Sequence, residues 1–219
     1  FGYDKIDSEL PPSNQSGEHH PKELKTRKLR RALQALGFDE AISFSFIDIS
    51  HDNQFELIPE FSGRDPEQAF VALKNPISEN EVRMRPTLIP GLLSSLRHNL
   101  NHGVRNVRLF ETGRIFAKSD EDLPNEREAL ALIVTGGASE ENRAQAQREV
   151  DFFDLKGSLE AAVAAMNRGP LRFTTAQVKH LQEGQSARIL LADGTTLGSL
   201  GRLAEWVSDA YKFRQPVFV

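Results

Sequence analysis

Apolar positions recur at helical spacing in three places along the chain. Leu24, Leu29, Ala32, Leu33 and Leu36 share one side of a helix over 21–36, with a basic opposite face and Gly37 as its stop. Leu88, Leu92, Leu93, Leu96 and Leu100 predict a second helix, with Pro90 in its first turn and Gly103 past its end. Leu155, Leu159, Val163 and Met166 predict a third over 152–166, ended by Gly169. A short fourth helix suits 203–211. Elsewhere the pattern is that of strands. Over 41–47, Ile42, Phe44 and Phe46 alternate with Ser43 and Ser45, which predicts a half-buried strand with its apolar face inward. Residues 107–116 and 171–175 have strand composition, and 129–134 is apolar enough for a central strand. The runs 187–191 and 196–200 flank Asp193-Gly194, a hairpin signal. A short strand at 70–73 and a last one from Val217 to Val219 complete the set. Between these lie a short helix and loop over 51–66, a charged hairpin-like connection over 118–127 and a polar excursion over 139–149. Strands outnumber helices and are joined by hairpins, so the expected class is α+β, a mainly antiparallel sheet flanked by helices. Residues 1–20, polar and holding Pro11, Pro12 and Gly17, are expected to be a linker, with 21–219 as one module.

Composition narrows the function classes. The chain has 219 residues, 39% hydrophobic and 26% charged, and no cysteine. Disulfides, cysteine–zinc sites and cysteine nucleophiles are therefore excluded, and the cytoplasm is the expected compartment. No run approaches a membrane-spanning length. The net charge of −4 argues against nucleic-acid binding by the whole surface. Within this acidic chain, 75–116 stands apart, for its six Arg and three Glu give it +3 and leave −7 elsewhere. Its arginines either meet an anion or pair internally, and Arg serves both ends through its planar fork.

Candidate chemistry is sparse. Neither of the common glycine-rich phosphate cradles occurs. His98 and His102 stand four apart, a metal-ligand spacing, but no third ligand is near and ordinary surface histidines are the preferred reading. His19-His20 is a weaker pair still. Asp151 and Asp154 bracket a helix start, where capping explains them better than acid–base work. Glu111 lies in an apolar strand and needs a partner. It either contacts a ligand or metal, or forms an internal ion pair with Arg83, Arg85, Arg108 or Arg114; the pair is preferred, with Arg85 the first candidate.

One set of residues is more specific. Asn75-Pro76, the run Met84-Arg85-Pro86-Thr87-Leu88-Ile89-Pro90-Gly91-Leu92-Leu93, Asn99, Gly103 and Leu109-Phe110-Glu111-Thr112-Gly113-Arg114-Ile115-Phe116 resemble the β subunit of bacterial phenylalanyl-tRNA synthetase. Gly2-Tyr3-Asp4-Lys5-Ile6, Asp154-Leu155-Lys156-Gly157, Ser186-Ala187 and Gly198-Ser199-Leu200-Gly201 fit the same family in the same order. The resemblance covers nearly the whole chain. It implies a piece of a longer subunit, the catalytic-like module with a class II synthetase fold.

It also implies which functions are missing. The class's first motif, a helix and strand at a subunit interface, falls on 21–36 and 41–47. Its second motif places an Arg two residues before a Glu to hold ATP phosphates; against Glu111 this chain has Leu109. The third motif's arginine lacks its spacing at Gly198-Ser199-Leu200-Gly201-Arg202, and Leu203-Ala204 stands where the family usually has His-Pro. The resemblance thus implies no catalytic, cofactor or metal residue in the module. ATP and magnesium belong to the whole enzyme, which joins phenylalanine to tRNA(Phe). The expected role is pairing with the catalytic α subunit in a tetramer of two α and two β chains. Leu24, Leu29, Leu33, Leu36, Leu92, Leu96 and Leu100 are the interface candidates, expected to form an exposed patch or a homodimer when the partner is missing. Two alternatives stay open: a module that still binds nucleotide, and a tRNA-contacting patch of Arg97, Arg105 and Arg108.

Overall fold

The computed structural model describes residues 2–5, 17–51, 54–59, 61, 70–76, 79–121, 123–138 and 148–219. Most of the expected linker, of the loop running to Pro66 and of the polar excursion at 139–149 lies outside them.

The elements run α1 (Pro21–Ala35), β1 (Asp39–Glu40), β2 (Phe46–Ile47), β3 (Arg83–Met84), α2 (Ile89–Asn101), β4 (Val107–Ala117) and β5 (Asn125–Thr135). After these come α3 (Phe152–Ala165), β6 (Arg172–Thr175), β7 (Leu181–Leu190), β8 (Thr196–Leu203), α4 (Glu205–Tyr211) and β9 (Val217–Phe218). Seven strands form one sheet in the order β1-β4-β5-β9-β8-β7-β6, and β2 pairs with β3 apart from it. The β1–β4 pair is parallel and the other pairs are antiparallel. The α+β class read from the pattern is the class observed.

Local chemistry explains the element ends. Pro21 occupies the first turn of α1, and the Lys22 N–H donates to the His20 ring at 3.3 Å. Asp151 caps α3, accepting from the N–H groups of Phe153 and Asp154, while the Asp154 carboxylate accepts from the Asp151 N–H at 2.8 Å. Gly194 turns the β7–β8 hairpin at φ 89°, a conformation open to glycine at little cost.

Packing on both faces of the sheet is what positions everything else. Side chains alternate along a strand, so Phe110, Leu132 and Val134 meet α1 and α3, while Leu109 and Ile133 meet α2 and α4. This overturns the expected role of several leucines. Leu29 and Leu33 are buried against α3 and the sheet, and Leu92 and Leu96 form the core beneath α2. They cannot form a partner surface, because this chain's own helices already cover them. Leu100 is partly buried on the α2 side, and Leu24 and Leu36 alone of the seven are exposed.

The 41–47 segment is the second correction. Only Phe46–Ile47 is strand, and the alternation has the opposite sense to the one expected. Ile42 is 91% and Phe44 77% exposed, while Ser43 turns inward. A buried carboxylate that claims Ser43 decides which face goes in.

Candidate subunit interface

The carboxylate belongs to Glu111, in the middle of β4 and almost fully buried. Arg85, one residue past β3, donates from Nη1 to Glu111 Oε1 at 2.6 Å, with side chains 6% and 2% exposed. The structure thus selects Arg85 from the four arginines. Arg114 instead pairs with Glu126 at 2.7 Å and Arg108 donates to the Ala138 carbonyl at 2.7 Å. A buried ion pair is tolerable only when its remaining hydrogen-bonding capacity is filled, and here it is. Arg85 Nε donates to the Arg114 carbonyl at 2.9 Å, and Nη1 also reaches the Ser43 hydroxyl oxygen at 3.1 Å. Glu111 accepts the Ser43 O–H at 2.6 Å and its N–H at 3.2 Å. The Arg85 N–H donates to the Ser45 carbonyl at 2.9 Å.

This network grips the backbone at 43 and 45 from inside, so the residues between and beside them face out. Residues 41–47 form a hook that holds Ile42 and Phe44 in water. Two glycines make room for it. A Cβ at Gly113 would stand 2.3 Å from Arg85 Nη2, and one at Gly91 would stand 2.2 Å from Ser43 Oγ. Ser43, Gly91 and Gly113 are the residues that sequence reasoning missed. The pairing Ser-x-Ser beside a strand Glu, with glycines nearby, is a signal only after the contacts are known.

Beside the hook lies a groove of about 560 Å³, walled by Ile42, Phe44 and Phe46 on one side and by Ser94, His98 and Asn99 of α2 on the other. The His98 and His102 rings lie tilted against each other with centroids 4.2 Å apart, and His102 Nδ1 lies 2.8 Å from the His98 carbonyl. Among the described residues no cluster of three His or acidic side chains could hold a metal ion. The other candidates are dispersed. Arg97 lies over the Tyr211 ring, 5.6 Å from its centroid, and Arg105 is exposed at the end of the α2–β4 connection. Asp154 binds Arg148 through a 2.6 Å bridge, and that hydrogen bond holds its carboxyl below the usual range. Leu109 is buried among apolar neighbours and offers no charge. Leu203 and Ala204 are core, at the start of α4, where the Ala204 N–H donates to the His180 carbonyl at 3.0 Å.

An antiparallel sheet sandwiched in this order is the fold of a class II-like aminoacyl-tRNA synthetase. It superposes on a pyrrolysyl-tRNA synthetase from Desulfitobacterium hafniense with a TM-score of 0.65 at 18% identity, covering 90% of this chain and 64% of that one. A second structure of that enzyme gives 0.63 at 19%. Residues 6–219 match the phenylalanyl tRNA synthetase beta chain CLM domain, and the chain belongs to that family. It is 34% identical to the phenylalanine–tRNA ligase beta subunit of Geobacter sulfurreducens over 99% of its own length and 27% of that protein's. It is 40% identical to the beta subunit from Pseudomonas syringae pv. tomato, over 88% of this chain and 23% of the relative. The chain spans about a quarter of the length of these relatives.

Proposed function

We propose that this chain is the non-catalytic, synthetase-like module of a phenylalanine–tRNA ligase β subunit, and that the 41–47 hook docks the catalytic α subunit. The observation that carries this is the outward pair Ile42 and Phe44, whose backbone the Arg85–Glu111 network ties down through Ser43 and Ser45. Pre-ordered aromatic and aliphatic side chains make good anchors, because little entropy is lost when they are buried. Leu36 and Leu24 are the exposed remnants of the α1 stripe on the same motif. In the whole enzyme, two α and two β chains would join phenylalanine to tRNA(Phe) with ATP and magnesium, the chemistry residing in α. Leu109, apolar where the class has a phosphate-binding Arg, supports a module that holds no nucleotide of its own. The stacking of Arg97 on Tyr211 and the tie of Arg108 to Ala138 favour internal roles for those arginines over a tRNA patch. None of the described helices is long and apolar enough to cross a membrane.

The test is co-purification with the α subunit encoded in the same genome. An Ile42→Asp/Phe44→Asp pair is expected to abolish the complex with no change in the module's thermal midpoint, since both side chains lie outside the core. Phenylalanine-dependent pyrophosphate exchange is expected only when α is present. A complex that survives the double change, or exchange by the module alone, would overturn the reading.

A further inference from the structure

The groove beside the hook has a charge of its own. One wall is aromatic, with Phe44 largely exposed and Phe46 half-buried. The α2 wall offers acceptors. Asn99 Nδ2 is spent on the Ser95 carbonyl at 2.9 Å, which leaves the Asn99 amide oxygen and the Ser94 hydroxyl to the groove. Three carboxylates also line it, those of Glu40, Asp48 and Glu81. Glu40 is taken by Arg30, whose Nε lies 2.8 Å from its Oε1. Asp48 accepts the Ser50 N–H at 2.7 Å, and its hydrogen bonds to Ser50 hold its carboxyl below the usual range, so it is ionised at neutral pH. Glu81 has neither a hydrogen bond nor an ion pair among the described residues.

No cation of this chain answers Asp48 and Glu81. Among the described residues the groove is lined by one guanidinium, that of Arg85. It is spent on Glu111, Ser43 and the Arg114 carbonyl. Arg97, next to His98 in sequence, lies over the Tyr211 ring instead. Two uncompensated carboxylates on one groove repel each other, and a cation entering beside them turns that cost into attraction. A metal ion is the poorer occupant, since among the described residues no group of three His or acidic side chains is placed to hold one.

We infer that the groove takes an arginine side chain from the docked partner, its guanidinium laid against Phe44 and paired with Asp48 and Glu81. The inference rests on the reading of the hook as the docking site, and adds what the docking segment carries. Arginine fits better than lysine for two reasons. A planar guanidinium stacks on an aromatic ring, and its fork of N–H donors suits a groove supplied with carboxylate, amide and hydroxyl acceptors. Its aliphatic stem has Ile42 and Phe46 to lie against. The apolar hook and the charged groove then act on one segment, the first by burial and the second by choosing its charge.

The test uses the whole β chain and the α subunit encoded in the same genome. Asp48→Asn/Glu81→Gln keeps the side-chain shapes and the acceptor for Ser50 and removes both charges. Its complex with α is expected to be about tenfold or more weaker, and added salt is expected to weaken the unaltered complex more steeply than the variant's. Phe44→Leu keeps apolar bulk without the ring and is expected to lose about two- to fivefold. Arg→Lys changes scanned along α are expected to find one position that costs affinity against the unaltered chain and not against Asp48→Asn/Glu81→Gln. Glu81→Gln alone, at a position with no internal bond to lose, repeats the comparison should the double variant fold poorly. Undiminished affinity of the neutralised variants, with Ile42→Asp/Phe44→Asp still abolishing the complex, would overturn the arginine and leave the docking reading standing. A complex indifferent to Ile42→Asp/Phe44→Asp would overturn both.

Discussion

Arg85 ties three pieces of chain together through one guanidinium: the carbonyl of Arg114, the carboxylate of Glu111 and the Ser43 side chain of the hook. Removing one member of a buried pair leaves the other charge without compensation. Arg85→Ala is therefore expected to cost about 3–5 kcal/mol in a urea titration. An Arg85→Met/Glu111→Leu pair is expected to recover most of that loss, because neither charge then remains buried. It should also loosen the hook, seen as faster exchange of the Ser43 amide. A single-mutant cost below about 1 kcal/mol would mean that the pair is effectively solvated. The carboxylate's need for a cation is legible in the sequence, since Glu111 sits in an apolar strand. Choosing Arg85 over Arg83, Arg108 and Arg114 requires the arrangement of β3 beside β4, which no local pattern carries. Gly91 and Gly113 are further out of reach, for their value is the space they leave for side chains distant in sequence.

α1 shows how a correct periodicity can still be assigned the wrong neighbour. Its stripe faces α3 and the sheet, with Leu33 fully buried and Leu29 nearly so. Spacing alone identifies a face that must be covered and is silent on whether the cover comes from the same chain. Leu33→Ala is expected to cost about 2–5 kcal/mol, from lost burial plus the cavity left behind. Leu24→Glu and Leu36→Glu, both at exposed positions, are expected to stay within about 0.5 kcal/mol. Thermal or urea denaturation of the three variants checks this, and equal effects at positions 24 and 33 would contradict the packing of α1 on α3. The hook inverts the same lesson. Alternation over 41–47 is real, yet a polar network rather than an apolar one takes the inward face.

Across the whole molecule, His180 joins the loop before β3 to the β7–β8 half of the sheet. Its Nδ1 accepts the Glu56 N–H at 3.2 Å, and its backbone carbonyl accepts the Ala204 N–H. Burial, aided by the nearby Arg188 charge, pushes its pKa from 6.5 down to about 4. The fold thus holds the ring neutral, whereas the unfolded chain protonates it near 6.5. Between those values the unfolded state binds more protons, so stability is expected to fall as pH drops from 6.5 to 4 and to level off for this group below that. The contribution is about 3 kcal/mol, read as the part of the drop in urea unfolding free energy between pH 7 and pH 4 that His180→Gln removes. His180→Gln should flatten that part of the profile, and an unchanged profile would place the acid sensitivity elsewhere. At this scale the division between chain and fold is plain. Helix positions, the Asp193-Gly194 hairpin, the α+β class and the family were readable from spacing, turn residues and motif order, because these depend on neighbours a few residues apart. Two things were decided only by tertiary packing: which leucines are core, and that Ile42 and Phe44 face water. Each depends on which distant segment reaches a given face first, and burial is shared among such segments rather than owned by any one of them.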